Sequence, residues 1–192
     1  MKSSTPSFDA LSPRERILVA AHALFYSEGI RATGVDKIIE QSSVSKVTFY
    51  RQYASKDELI RAYLDYRHGK WISWFHNSLT EETRAGSSAA NALVTTLQSW
   101  FIQPDFRGCA FLNAAAELGS SDPGILEVVR QHKQEMSSVL DACFSGDAVS
   151  AGHALSLLID GAIVHAQMGR PIDAVVEDLK EAVEAIVSKP TR

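Results

Sequence analysis

The stretch Thr33-Gly34-Val35-Asp36-Lys37-Ile38-Ile39-Glu40-Gln41-Ser42-Ser43-Val44-Ser45-Lys46-Val47-Thr48-Phe49-Tyr50-Arg51-Gln52-Tyr53-Ala54-Ser55-Lys56-Asp57-Glu58-Leu59 decides the reading of this chain. It reads as two very short helices, a tight turn between them, and the start of a third helix. The middle helix carries hydroxyls, an aromatic ring and cations within roughly one and a half turns. A core helix does not need that composition, whereas a helix lying in a DNA groove does.

Working outward, Ser12-Pro13-Arg14-Glu15 supplies a helix start, with Ser12 as N-cap, Pro13 at the first helical position and Glu15 completing a capping box. Ile17, Ala20, Ala21, Leu24 and Phe25 give that helix one apolar face, and Gly29 stops it. Thr33 is expected to cap the next helix, which turns Val35, Ile38 and Ile39 inward and runs to about Ser42. Ser45 and Thr48 open a helix of roughly seven residues, since Ala54 and a fresh capping box at Ser55–Glu58 follow at once. Helices this short are unstable alone, so they must pack on the first and fourth. The fourth carries Leu59, Tyr63 and Leu64 and continues through Trp71, Trp74 and Phe75.

Beyond it the pattern stays helical, with segments expected at about 87–103, 108–118, 124–143, 147–168 and 173–187. Gly86, Pro104, Ser120–Pro123, Gly146 and Gly169–Pro171 separate them, and Asp122 before Pro123 is another cap signal. The fold class is all-α. The first ten residues read as a loose arm.

Hydrophobic residues at 45% and charged residues at 22% are ordinary for a globular chain of 192 residues. No run is long and apolar enough for a membrane span, and Met1–Ala10 lacks a signal-peptide core, so a cytoplasmic location without membrane association is expected. Cys109 and Cys143 stand far apart without a CxxC, which argues against a disulfide framework or zinc site. The six histidines lack metal-ligand spacing, and phosphate-loop, GxSxG and HExxH signatures are missing, so neither metal, cofactor nor catalysis is expected. The net charge of −4 divides unevenly, with +1 over residues 1–60 and −5 over the remainder. An acidic remainder is no obstacle to DNA binding, which needs cations only at the phosphates.

Arg16-Ile17-Leu18, Ala20-Ala21, Leu24-Phe25, Gly29, Val35, Ile38, Val44-Ser45-Lys46, Thr48-Phe49-Tyr50 and Ser55–Leu59 together resemble the N-terminal domain of TetR-type transcriptional regulators. The resemblance covers about residues 12–70. It implies a three-helix helix-turn-helix domain over 11–71, with the helix-turn-helix itself at about 34–53. A fourth helix would join this to a helical-bundle dimerisation and ligand domain over 72–192. The boundary is expected inside the fourth helix, so that the two parts are mechanically coupled. The family pattern usually has Gly where Ser43 stands, and often Gly at Val47. Ser43 would serve in a tight turn that is not left-handed, and Val47 offers an apolar contact to a thymine methyl.

The expected DNA-binding residues are Thr33, Ser45, Lys46, Val47, Thr48, Tyr50, Arg51, Gln52 and Lys56. The resemblance places the Tyr50 hydroxyl toward a phosphate. Lys56 at a helix start suits a phosphate too, and Thr33 would combine a cap with a backbone contact. Lys46, Thr48, Arg51 and Gln52 reach base edges or nearby phosphates. Phe49 and Tyr53 read as core against Phe25 and Leu24.

For the second domain the resemblance implies a homodimer built by the last two helices. Leu155, Leu158, Ile159, Ala162, Ile163, Val176, Leu179 and Val183 are its candidate interface, with Gly152, Gly161 and Ala162 allowing close approach; an internal core is the other reading of the same residues. It also implies a pocket for a small lipophilic or aromatic effector. Candidate lining residues are Trp71, Trp74, Phe75, Trp100, Phe101, Phe106, Cys109, Phe111, Asn113, Glu117, Met136 and His165, the large ones equally readable as core. His132 and His153 are further polar candidates. The expected function is a repressor on a palindromic double-stranded operator, released by that effector. The alternatives are a thiol switch at Cys109, or an activator or regulator without an effector.

Overall fold

The computed structural model describes residues 8–144 and 151–188. Within them a short 3-10 turn, Phe8–Ala10, precedes nine α-helices. These are α1 (Pro13–Glu28), α2 (Val35–Ser42), α3 (Lys46–Gln52), α4 (Lys56–Arg84), α5 (Ala89–Phe101), α6 (Ala110–Leu118), α7 (Pro123–Cys143), α8 (Gly152–Gln167) and α9 (Ile172–Val187). No strand occurs among the described residues. Residues 147–150 of the segment expected at 147–168, the separator Gly146 and residues 1–7 of the expected arm lie outside them. The chain divides into two compact units, Met1–Arg67 and His68–Arg192, with the division inside α4.

Local chemistry sets the helix starts. The Ser12 hydroxyl accepts from the Glu15 backbone N–H while the Glu15 carboxylate accepts from the Ser12 N–H at 2.8 Å. The Ser12 hydroxyl also donates to that carboxylate at 2.7 Å, and this bond, with the one from the Ser12 backbone N–H, holds the Glu15 carboxyl below its usual range. Ser45 accepts from the Thr48 N–H at 3.1 Å, Ser55 from the Glu58 N–H at 3.1 Å, and Asp122 from the Gly124 N–H at 2.9 Å. Each bond satisfies one of the donors that a helix start leaves open. At the other end of α1, Gly29 takes φ 95°, a conformation that a side chain would resist.

In the first unit, α1 packs on α2 and α3. Ile17, Ala21, Leu24, Phe25, Ile38, Phe49, Tyr53, Leu59 and Tyr63 are buried. Full burial of a ring such as Phe49 contributes about 2–3 kcal/mol, which is how a seven-residue helix is held. In the second unit α5 packs on α9, α9 on α8, α8 on α7 and α7 on α6. A largely buried ion pair of Lys133 with Asp160 ties α7 to α8.

The turn between α2 and α3 differs from the expectation. Ser43 sits at φ 51° and ψ 43°, left-handed, where its backbone N–H donates to Glu40 O at 3.1 Å. Hydrogen bonding of the last α2 carbonyls demands this geometry, and the strain for an L-residue is about 1–2 kcal/mol. Ser43→Gly is therefore expected to raise stability by about 1 kcal/mol, even after the extra freedom of glycine in the unfolded chain. Urea unfolding checks this, and an unchanged or lower midpoint would refute it.

Candidate nucleic-acid interface

The α3 helix has one buried anchor and an open face. Phe49 is wholly buried, while Lys46, Val47, Tyr50 and Arg51 are exposed and Thr48 and Gln52 half-buried. Val47, at 78% exposure, is a branched apolar side chain left in water at the start of the helix. The Tyr50 ring is T-shaped to Phe49 with centroids 5.2 Å apart, and Tyr50 stays 46% exposed.

Two arginines of α1 hold the ends of this segment. The Arg14 guanidinium lies 4.2 Å over the Tyr53 ring and donates to the Gln52 carbonyl, while the Tyr53 hydroxyl donates to Arg14 O at 3.5 Å. Burial pushes the Tyr53 phenol above its ordinary range, partly opposed by Arg14. Arg16 donates to the carbonyl of Ser43 at 3.4 Å. The Tyr53 anchor is thus Arg14, not only the apolar α1 face. The signal in the sequence was two cations in the first turn of α1, where the helix dipole disfavours positive charge.

Several expected DNA contacts have other work. Thr33 is 0% exposed, and its hydroxyl donates to the Gly29 carbonyl at 2.7 Å. It closes the open end of α1 rather than capping α2, whose N-cap is Gly34 without a side-chain bond. A side chain so buried has no path to a phosphate, so Thr33 leaves the contact set. Ser45 is the α3 cap, and its hydroxyl also lies 2.9 Å from that of Thr48. Lys46 pairs with Asp36 at 3.3 Å. Lys56 donates to the Ile30 carbonyl at 2.6 Å, tying the α1–α2 loop to the start of α4. It is half-buried and so is not a fully solvated surface lysine.

The expected dimer residues divide by face. Leu155, Ile159, Ala162, Ile163, Leu179 and Val183 are buried within the chain itself, so they form its own core; Leu158 and Val176 are half-buried. The exposed apolar stripe is instead Leu157 (76%) and Val164 (42%) of α8 and Met168 (67%) at its C-terminal cap, with Gly161 among them. Gly152 faces α7 of the same chain, against the backbone carbonyl of Ser137.

Half of the twelve expected ligand residues belong to one packed aromatic cluster. Trp71 stacks on Phe75 at 4.7 Å and meets Trp100 at 5.6 Å, and Trp100 meets Phe106 at 5.2 Å. Trp74 and Phe101 join the same cluster. Met136 is wholly buried, and Cys109 is buried at the start of α6, a poor position for an oxidant to reach. Asn113 is engaged locally, donating to Arg107 O at 2.9 Å and accepting from Gln167 at 3.3 Å; Glu117 is half-buried. His165 is exposed, on the α8–α9 groove of about 350 Å³ rather than in the interior, because it lies on the outer side of α8.

A polar chain that the sequence did not reveal runs from the buried His132 to the surface at Glu135. His132 stacks on Phe111 with centroids 3.6 Å apart, and its Nδ1 lies 3.0 Å from that of His68. The His68 Nε2 lies 3.0 Å from the Glu135 carboxylate. One of the two facing Nδ1 atoms must donate, so the pair shares a single proton along that line. His132 was a candidate, but its partners His68 and Glu135 were not.

Among the described residues, no helix is long and apolar enough to cross a membrane, and no cluster of three or more His, Cys, Asp or Glu could hold a metal ion. Residues 17–63 match the family model described as bacterial regulatory proteins, tetR family. The crystal structure of SCO4454, a TetR-family transcriptional regulator from Streptomyces coelicolor, shares 33% identity over 91% of this chain and 94% of that one, with a TM-score of 0.75. The reduced form of E. coli NemR has the same fold at a TM-score of 0.78, with 18% identity over 93% of this chain and 99% of that one. The transcriptional activator FasR of Mycolicibacterium smegmatis is 33% identical over 70 residues, 36% of this chain and 32% of FasR. With the anchored and exposed α3 face, these likenesses leave one assignment: the chain belongs to the TetR family and is a DNA-binding, non-enzymatic transcriptional regulator.

Proposed function

We propose that this regulator is a cytoplasmic homodimeric repressor that reads a palindromic operator and is released by a small molecule. The observation that carries the DNA reading is α3 itself, with Phe49 buried beneath an open face of Lys46, Val47, Thr48, Tyr50, Arg51 and Gln52. In this reading Tyr50 and Arg51 hold phosphates, while Val47 and Gln52 read base edges as apolar and adenine-type contacts. One seven-residue helix covers too little DNA for specificity, so two subunits read half-sites about 34–36 Å or a related spacing apart. The exposed α8 stripe around Gly161 supports a second copy as its cover. Release requires an effector that prefers the DNA-incompetent arrangement, since equal affinity for both shifts nothing.

The test is to sequence the genomic fragments retained by the purified protein and then measure variants on the recovered site. Tyr50→Phe is expected to weaken all duplexes by a similar factor. Gln52→Ala is expected to cost about 1–3 kcal/mol at one base position and to relax the preference there. Retention of no particular sequence, or an unchanged preference in Gln52→Ala, would refute the assignment of α3 as the reader.

A further inference from the structure

An open groove of about 380 Å³ lies between α4 and α7, lined by His76, Leu79, Thr80, Thr83, Arg84, Val139, Ala142 and Cys143. None of the aromatic residues expected to form a pocket contributes to it. Its volume falls in the range of small-molecule sites.

The lining has a definite chemical character. Leu79, Val139 and Ala142 supply an apolar floor. The Thr80 and Thr83 hydroxyls donate back to His76 O and Leu79 O, each at 2.8 Å, so their protons are already used. The strong donors left on the wall are the Arg84 guanidinium and the His76 ring. No Asp or Glu stands in the lining to neutralise them. Arg84 is in the last turn of α4, where the carbonyl end of the helix favours a cation. Burial pushes the Cys143 thiol upward, which keeps it protonated and makes it a neutral wall rather than a nucleophile.

We propose that this groove binds an amphipathic monoanion non-covalently, a carboxylate with a short hydrocarbon tail. The tail lies on Leu79, Val139 and Ala142, and the carboxylate accepts from Arg84 with His76 beside it. Arginine presents a forked pair of donors that matches a carboxylate, and a charge-assisted bond of this kind is stronger than a neutral one. The inference names the class of effector and, in that respect, rests on the reading of an effector-released regulator.

Calorimetric titration of the full-length protein with octanoate tests it, with octanol as the neutral match. Octanoate is expected to bind, and octanol to bind at least about tenfold more weakly. Arg84→Gln, an exposed position, is expected to weaken octanoate about tenfold or more, and Val139→Trp to abolish binding by filling the groove. No octanoate binding, equal binding of octanol, or undiminished binding in both variants would overturn the site. Operator affinity is measured in parallel by fluorescence anisotropy. Octanoate bound through Arg84 with operator affinity unchanged would uphold the site and overturn its role as the effector site.

Discussion

Gly161→Trp is expected to turn the protein into a monomer of nearly unchanged thermal stability that has lost its operator. Gly161 is exposed, and a Cβ built on it meets nothing within 4 Å inside the chain. It lies in one stripe with Leu157, Val164 and Met168, at spacings of four, three and four residues, the repeat of a single helix face. A tryptophan there would extend from an open position beside the α8–α9 groove and, in the proposed dimer, would stand where a second α8 approaches. Coupling two DNA-reading heads raises affinity by about 10²–10⁴ through effective concentration alone, and that factor is what the variant loses. Sedimentation equilibrium and anisotropy on the recovered operator check the two halves. A variant that stays dimeric and binds DNA normally would place the interface elsewhere.

The helix boundaries were legible because they are written in local chemistry. Ser12-Pro13, Ser45, Ser55 and Asp122-Pro123 mark starts whatever the surrounding fold, and each performs the bond its type suggests. The buried role of Phe49 was legible for a similar reason, since it is the ring of this short helix that carries no polar group to keep it at the surface. Thr33 was not legible. A threonine ahead of a helix can cap that helix or close the one before it, and the choice depends on where the Gly29 carbonyl lies. Nor does composition say whether Trp71, Trp100 and Phe106 line a space or fill it; ring-to-ring distances of 5.2–5.6 Å say that they pack on each other. The His68–His132 contact joins residues 64 apart in the chain, beyond any local pattern. The phase of α8 was obscured by its own composition, because Leu155, Leu157, Leu158 and Ile159 put apolar groups on both sides of the helix.

That ambiguity yields a second large effect at the other glycine of α8. Gly152 and Gly161 are nine residues apart, two and a half turns of helix, and so lie on opposite faces. Grouping them as one surface for close approach was therefore geometrically impossible. A Cβ on Gly152 would stand 2.2 Å from the backbone oxygen of Ser137 and 2.7 Å from the carboxyl carbon of Asp141. The Asp141 carboxylate is already committed, accepting from the Gly152 N–H at 2.8 Å. The Ser137 carbonyl belongs to the backbone of α7 and cannot swing aside as a side chain would. Gly152→Ala must push α8 away from α7, loosening the contact that buries Leu155, Ile159 and Met136 together. The expected cost is about 3 kcal/mol, at the upper end for overpacking, and a fall in Tm of roughly 6–12 °C. Thermal unfolding by circular dichroism measures it directly. An unchanged Tm would mean that α7 and α8 stand further apart than these distances, and with that the rotation of α8 that exposes Leu157, Gly161, Val164 and Met168 would lose its support.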